Sequence, residues 1–179
     1  MSTEYLANKF TEALIYFAPA MICNAAPVLT RVFRYRHPID GGRVLRDGRR
    51  VFGDGKTWEG LIAGLLAGLL TGVAYTLIFN TASCIMYALI MSVGALLGDL
   101  INAFIKRRVG LKQGSPFPPL DQVDYLLGSY VSIKSLNIDL IMGVELTLEH
   151  LVLAMLISLI LHPLTNFMAY MLGFKEVPW

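Results

Sequence analysis

The run LIAGLLAGLLTGVAYTLIF, from Leu61 to Phe79, is nineteen residues without a charge. A helix crosses the roughly 30 Å hydrocarbon core of a bilayer with about 20 apolar residues, so this block has the length and character of a membrane span. Four other blocks approach the same length, at residues 10–29, 83–105, 123–143 and 148–174. The first carries Glu12, Pro19 and Pro27, and the fourth carries Asp124, Lys134 and Asp139. Composition agrees: charged residues make up 16% of the chain, against about 25% in soluble domains. The first block lacks a basic leader and a small-residue cleavage site, so it reads as a span rather than a signal peptide. The expectation is an all-α polytopic integral membrane protein with five transmembrane helices, forming one domain over residues 1–179.

The charges orient these spans. Of fifteen Lys and Arg residues, eight lie in Arg31–Lys56 and four in Lys106–Lys112, whereas the turns near Asn80 and Val144 carry none. With five spans, the loops at about 30–59 and 106–121 share one side with the C-terminus. The positive-inside rule makes that side cytoplasmic and puts the N-terminus outside. The expected location is the plasma membrane, with any site on the cationic cytoplasmic face, which suits lipid headgroups or a polyphosphate. Cys23 and Cys84 stand singly in apolar blocks without C-x-x-C spacing and read as packing residues.

GDGKTWEG, Gly53 to Gly60, ends like a nucleotide-binding loop, but a Walker A motif needs glycine where Arg50 stands and a strand before it. Two readings stay open: a solvated basic loop that anchors topology, or an anion cradle. For the second, Gly41, Gly42, Gly48, Gly53 and Gly55 let backbone N–H groups approach an anion, and Lys56 adds a point charge. Beyond it, Gly60, Gly64, Gly68 and Gly72 recur at i, i+4, which predicts a packing groove for a neighbouring helix within the bundle.

Asp99 lies inside an apolar block, with Asn102 and Lys106 on the same helical face, and a carboxylate at membrane depth is a functional candidate. GLKQGSPFPPLDQVDYLLGS follows, its prolines ending one helix and opening the next. Asp121 and Asp124 share a face of that next helix, either complementing its dipole or binding a cation. Three carboxylates at one depth beside many cations point to Mg²⁺, a hard ion suited to carboxylate and phosphate oxygens. Lys134 and Asp139 are spaced poorly for a direct pair, so each is expected to face a polar cavity or another helix. Ser129, Ser132 and Ser135 would line the same interior. His37, His150 and His162 form no cluster by sequence, and His162-Pro163 predicts a helix kink.

GDGKTWEG with the glycine-striped span, GDLINAFIKRRVGLKQGSPFPPLDQVDYLLG, and five spans in all resemble the archaeal CDP-archaeol synthases, relatives of the CDP-diacylglycerol synthases. The motif residues are Asp99, Lys106, Arg107, Arg108, Gly110, Lys112, Gly114, Pro118, Asp121, Gln122 and Asp124; Gln122 stands where the wider superfamily has arginine. The resemblance implies transfer of CMP from CTP to 2,3-bis-O-geranylgeranylglycerol 1-phosphate. It further implies that Asp99, Asp121, Asp124 and Lys106 are catalytic, with the three carboxylates holding Mg²⁺. Gly53, Gly55, Lys56, Thr57, Asn102, Arg107, Arg108, Lys112, Gly114 and Gln122 would then bind CTP or the lipid phosphate. The implied partners are CTP, an isoprenoid diether glycerol phosphate and the bilayer, and no nucleic acid. Two rivals fit less well. A CDP-alcohol phosphotransferase needs a D-G-x-x-A-R motif that DGRRVF at Asp47 lacks, and a small lipid or anion transporter would concentrate charge at the midplane.

Overall fold

Long apolar blocks flanked by caps fold as helices, and the computed structural model, which describes residues 3–32, 35–174 and 177, contains six. They are α1 (Thr3–Ala25), α2 (Trp58–Phe79), α3 (Ser83–Arg108), α4 (Leu120–Leu136), α5 (Ile138–Ile141) and α6 (Leu148–Met171), with a 3-10 turn at Ala26–Val32. Among the described residues the only extended pairings are the isolated bridges Pro38–Thr57 and Val44–Arg50, both in the first loop. The all-helical expectation therefore holds. Four helical segments are long and apolar enough to cross a membrane: Thr3–Thr30, Trp58–Phe79, Ser83–Arg108 and Leu148–Met171.

The fourth block departs from expectation. It is not one helix over 123–143, because α4 stops at Leu136 and Asn137 turns left-handed with φ 51° before the single turn of α5. Asparagine tolerates that conformation better than most residues. The break also overturns the reading of Lys134 and Asp139 as separate: Lys134 Nζ lies 2.7 Å from Asp139 Oδ2, reaching across the interruption. Counting i+5 on a continuous helix hid this pair. The serines diverge as well, since Ser129 is buried and bonds the Met91 and Tyr125 carbonyls, whereas Ser135 is exposed.

The other boundaries shift in ways that matter for the site. α3 extends through Arg108, so Lys106, Arg107 and Arg108 belong to its last turn rather than to a loop, and they complement its C-terminal dipole. α6 continues through Pro163 as one helix to Met171. In α1, Glu12 is neutralised within the fold: Lys9 Nζ lies 2.7 Å away and His150 Nε2 2.9 Å away. Thr147 N–H donates to His150 Nδ1, which leaves Nε2 to donate to Glu12.

Helix α3 is central and packs on α1, α2 and α4. The α2 glycine stripe works as a groove inside the bundle. A Cβ on Gly64 would meet the Cys23 carbonyl of α1 at 3.1 Å, and one on Gly72 would meet Ile85 Cα of α3 at 2.9 Å. The opposite face of α2 carries exposed Leu66, Leu70, Leu77 and Ile78, the surface a hydrocarbon core would cover. Fully buried Phe17, Met91, Leu126, Ile133 and Leu146 fill the space between helices.

Candidate active site

The first loop has its own fold, organised by a residue the sequence reading passed over. Asp40 Oδ1 accepts from the Gly42 N–H at 3.1 Å, and Oδ2 accepts from the Phe52 and Gly53 N–H groups at 3.0 and 2.9 Å. Arg50 Nη2 lies 2.5 Å from Oδ1. Burial alone would push this carboxyl up, but the Arg50 guanidinium and the three N–H groups hold it well below the ordinary carboxylate range. His37 Nδ1 meets Glu59 Oε1 at 2.6 Å and the Trp58 N–H reaches the His37 carbonyl, which ties the loop to the start of α2. Thr57 is buried and caps α2, accepting from the Gly60 N–H at 3.2 Å. Fixed at both ends, the loop projects Lys56 onto α3.

The floor of the site is the α3–α4 seam. A Cβ on Gly94 would stand 2.6 Å from the Gly128 carbonyl, and one on Gly98 would overlap the Asp124 carbonyl. Only glycine permits this approach, and it brings the face carrying Asp99 and Asn102 onto the first turns of α4. There Asn102 Nδ2 donates to Asp121 Oδ1 at 2.7 Å and to Asp124 Oδ2 at 2.6 Å. Lys106 Nζ lies 3.0 and 2.9 Å from the two Asp121 oxygens, and Asp121 Oδ2 also accepts the Phe117 N–H. Lys56 Nζ meets both oxygens of Asp99 at 2.6 Å. Lys56 and Lys106 thus flank three carboxylates at one seam, with Asp124 buried at its inner end.

Six of the fourteen expected residues meet here in two bonded sets, Lys56 with Asp99, and Asn102 and Lys106 with Asp121 and Asp124. Others serve the scaffold. Arg108 Nη1 holds both oxygens of Asp47 at 2.7 Å, and its other nitrogen reaches the Arg49 and Arg50 carbonyls. Arg49 reciprocates on the Arg107 and Arg108 carbonyls, so arginines seam the two loops together. Arg107 donates to the Lys112 carbonyl at 3.2 Å, and Lys112 itself is exposed. Gly53 has φ 94° and gives its N–H to Asp40; Gly55, like Gly53, lies beside the Gln113 side chain, and Gly114, with φ 79°, follows Gln113 in the second loop. Gln122 hands its carbonyl to Ser158 Oγ and keeps a buried, unpartnered Oε1.

Two further residues escaped the sequence reading. Gln113 Oε1 accepts the Asp54 N–H at 3.1 Å and lies over Gly53 and Gly55, closing the second loop on the first. No sequence signal marks it. Asp40 had one, since Asp before two glycines suits an Asx turn.

The donor set suits a hard cation. Asp99, Asp121 and Asp124 offer carboxylate oxygens at one seam, and the buried Asn102 Oδ1 has no hydrogen-bond partner beside them. Their charges are met here by Lys56, Lys106 and Asn102, and among the described residues no three His, Cys, Asp or Glu side chains stand in a ready-made metal shell.

The comparisons bear on what such a seam does. The sequence model of the CarS-like CDP-archaeol synthase family matches residues 6–179. The chain is 42% identical over 170 residues to the CDP-archaeol synthase of Pyrobaculum islandicum, covering 93% of this chain and 99% of that one. Its identity to the CDP-archaeol synthase of Aeropyrum pernix is 41% over 179 residues, 100% of this chain and 98% of the relative. Among solved structures it resembles an intramembrane enzyme for archaeal membrane lipid biosynthesis, with TM-score 0.74 and 41% identity over 88% of this chain and 94% of that one. Matched along nearly its whole length, the chain belongs to the CDP-archaeol synthase family.

Proposed function

We infer that this protein transfers the CMP group of CTP to the phosphate of an archaeal diether lipid, 2,3-bis-O-geranylgeranylglycerol 1-phosphate, releasing pyrophosphate. The observation that carries the reading is the row of Asp99, Asp124 and Asp121 at the α3–α4 seam, met by Lys56 at Asp99, by Lys106 at Asp121, and by Asn102 between Asp121 and Asp124. Such a row offers cations to phosphate groups and oxygen donors to a counter-ion within one short span. A phosphoryl transfer between anions asks a protein mainly for positioning and charge neutralisation.

In the reaction, an oxygen of the lipid phosphate forms a bond to the α-phosphorus of CTP while the bond from that phosphorus to the β-phosphate oxygen breaks. A phosphomonoester is already an anion, so no side chain has to take a proton from the nucleophile. Lys56 and Lys106 turn their ammonium groups to the phosphates, and Lys112, exposed on the second loop, adds a third cation. Arg107 and Arg108 hold the two loops at the spacing these lysines need. Asp99, Asp121 and Asp124 would hold Mg²⁺, which when bound supplies charge neutralisation at the attacking and leaving oxygens. Burial of Asp124 keeps water from the inner end of the seam.

The charge distribution supports a plasma-membrane orientation with this end of the bundle in the cytoplasm, α4 with α5 as a fifth crossing, and the N-terminus outside. Purified protein given CTP, Mg²⁺ and the lipid phosphate should release pyrophosphate in step with CTP consumption. The same lipid as its free alcohol should release none, because the attacking oxygen belongs to the phosphate. Equal release with the alcohol would overturn the assignment.

A further inference from the structure

None of the charged side chains bonded at the seam comes from α6, yet a hydroxyl of α6 reaches the turn that carries two of the carboxylates. Ser158 Oγ lies 2.5 Å from the Gln122 carbonyl oxygen and 2.7 Å from the Tyr125 hydroxyl. A serine hydroxyl has a single hydrogen. Ser158 gives it to the Gln122 carbonyl, so Tyr125 must donate to Ser158. Ser158 and Tyr125 are 0% and 3% exposed, so no solvent competes for these bonds.

Thr71, Thr76, Ser92 and Thr165 turn their hydroxyls onto a carbonyl four residues back on their own helix. That local bond is the ordinary way to satisfy a hydroxyl on an apolar helix. Ser158 spends its hydrogen on α4 instead. The place it reaches is the weakly held end of that helix, because Pro119 stands at the N-cap and no side chain caps the first turn.

Gln122 lies between Asp121 and Asp124 in this turn. The glycine contacts at Gly94 and Gly98 let α4 come close to α3, but a glycine has no side chain to interlock and leaves the rotation of α4 open. Pinning the Gln122 carbonyl closes that freedom. It fixes the height and rotation at which Asp121 and Asp124 meet Asn102.

We propose that Ser158 and Tyr125 are positioning residues for the transfer reaction: their paired hydroxyls lock the first turn of α4 to α6 and so set where Asp121 and Asp124 stand relative to Asp99. This rests on the transfer reading given above. Mg²⁺ demands near-ideal octahedral geometry, so a small rotation of α4 weakens any grip the three carboxylates share. A misplacement of about 1 Å caused by a change away from the reacting atoms costs on the order of a hundredfold in rate.

The test uses the full-length protein in detergent micelles with CTP and with Mn²⁺ as the probe metal. Mn²⁺ affinity is read by electron paramagnetic resonance before any lipid is added. Ser158→Ala should weaken Mn²⁺ binding about tenfold and raise the Mg²⁺ concentration for half-maximal transfer by a similar factor, with the KM for the lipid phosphate near wild type. Tyr125→Phe keeps the ring in place and leaves Ser158 its bond to Gln122, so it should shift both readings the same way by about threefold. Thr76→Val removes a hydroxyl bonded within α2 and should lower the Tm without moving Mn²⁺ affinity. Wild-type Mn²⁺ affinity in Ser158→Ala, or in Tyr125→Phe should the alanine variant fail to fold, overturns the proposal. So does an equal shift in Thr76→Val. A wild-type protein that binds Mn²⁺ in this Ser158-dependent way but moves no CMP to the lipid sinks the transfer reading and leaves the lock of α4 to α6 standing, a separate result.

Discussion

Asp99, Asp121 and Asp124 are separated by 22 and then 3 positions in the chain, yet all three meet at the α3–α4 seam, where Lys56 pairs with Asp99 while Asn102 and Lys106 tie Asp121 and Asp124. Replacing any one by asparagine keeps size and hydrogen bonding but removes the charge. Each variant should fold and lose at least about a hundredfold in turnover, the scale of one transition-state charge stabiliser. A variant within a few-fold of wild type would remove that residue from the reacting centre. Asp40 is the contrasting case, since its charge serves the loop. Its depressed pKa means that the stabilisation is complete above the ordinary carboxylate value and is lost only as pH falls through the lower, folded value. At neutral pH Asp40→Asn therefore removes the whole contribution, on the order of 2 kcal/mol from charged hydrogen bonds. Limited proteolysis should cut the first loop faster in this variant, and the KM for CTP should rise; unchanged cleavage would mean the loop is held otherwise. The three site carboxylates were legible in sequence because charge is conspicuous inside an apolar block. For Asp40 the sequence marked only the local turn onto Gly42, because its partners Arg50, Phe52 and Gly53 lie ten or more residues away in a segment already rich in charge.

Between elements, the seam depends on Gly94, Gly98 and Gly128, where α3 and α4 meet backbone to backbone. A methyl group at Gly98 has no room beside Asp124, so Gly98→Ala must separate the helices. Overpacking of this kind costs about 1–3 kcal/mol, and here it also displaces Asp99 and Asn102 from α4. Gly98→Ala should lower both the Tm and turnover, whereas Leu70→Ala on the exposed face of α2 should leave turnover near wild type. Equal behaviour of the two variants would count against the seam as the positioning element. The α2 stripe announced itself through four evenly spaced glycines. The α3–α4 contact did not, since Gly94 and Gly98 share that i, i+4 spacing but only two are present, and their partner Gly128 stands alone in sequence until the helices pair. The break at Asn137 was hidden for a related reason: hydropathy continues across it, and only the left-handed backbone reveals that Lys134 reaches Asp139.

At the scale of the molecule, both basic loops lie at one end of the bundle, joined by Arg49, Arg108 and Gln113. Spacing of Lys and Arg along the chain made that grouping legible, because the short turns at the other end carry none. If this end faces the cytoplasm, a membrane-impermeant thiol reagent on intact cells should label Thr81→Cys, in the turn between α2 and α3, and miss Gly48→Cys. Cys23 and Cys84 are buried and leave the background low. The reverse labelling would invert the orientation without touching the chemistry. The chemistry has its own direct measurement: the fate of the phosphorus atoms of CTP. With CTP labelled at either the α- or the γ-phosphorus, together with Mg²⁺ and the diether lipid phosphate, the α label should pass into the organic phase and the γ label should stay in water as pyrophosphate. A γ label recovered in the lipid would make the protein a kinase and contradict nucleotidyl transfer at the seam.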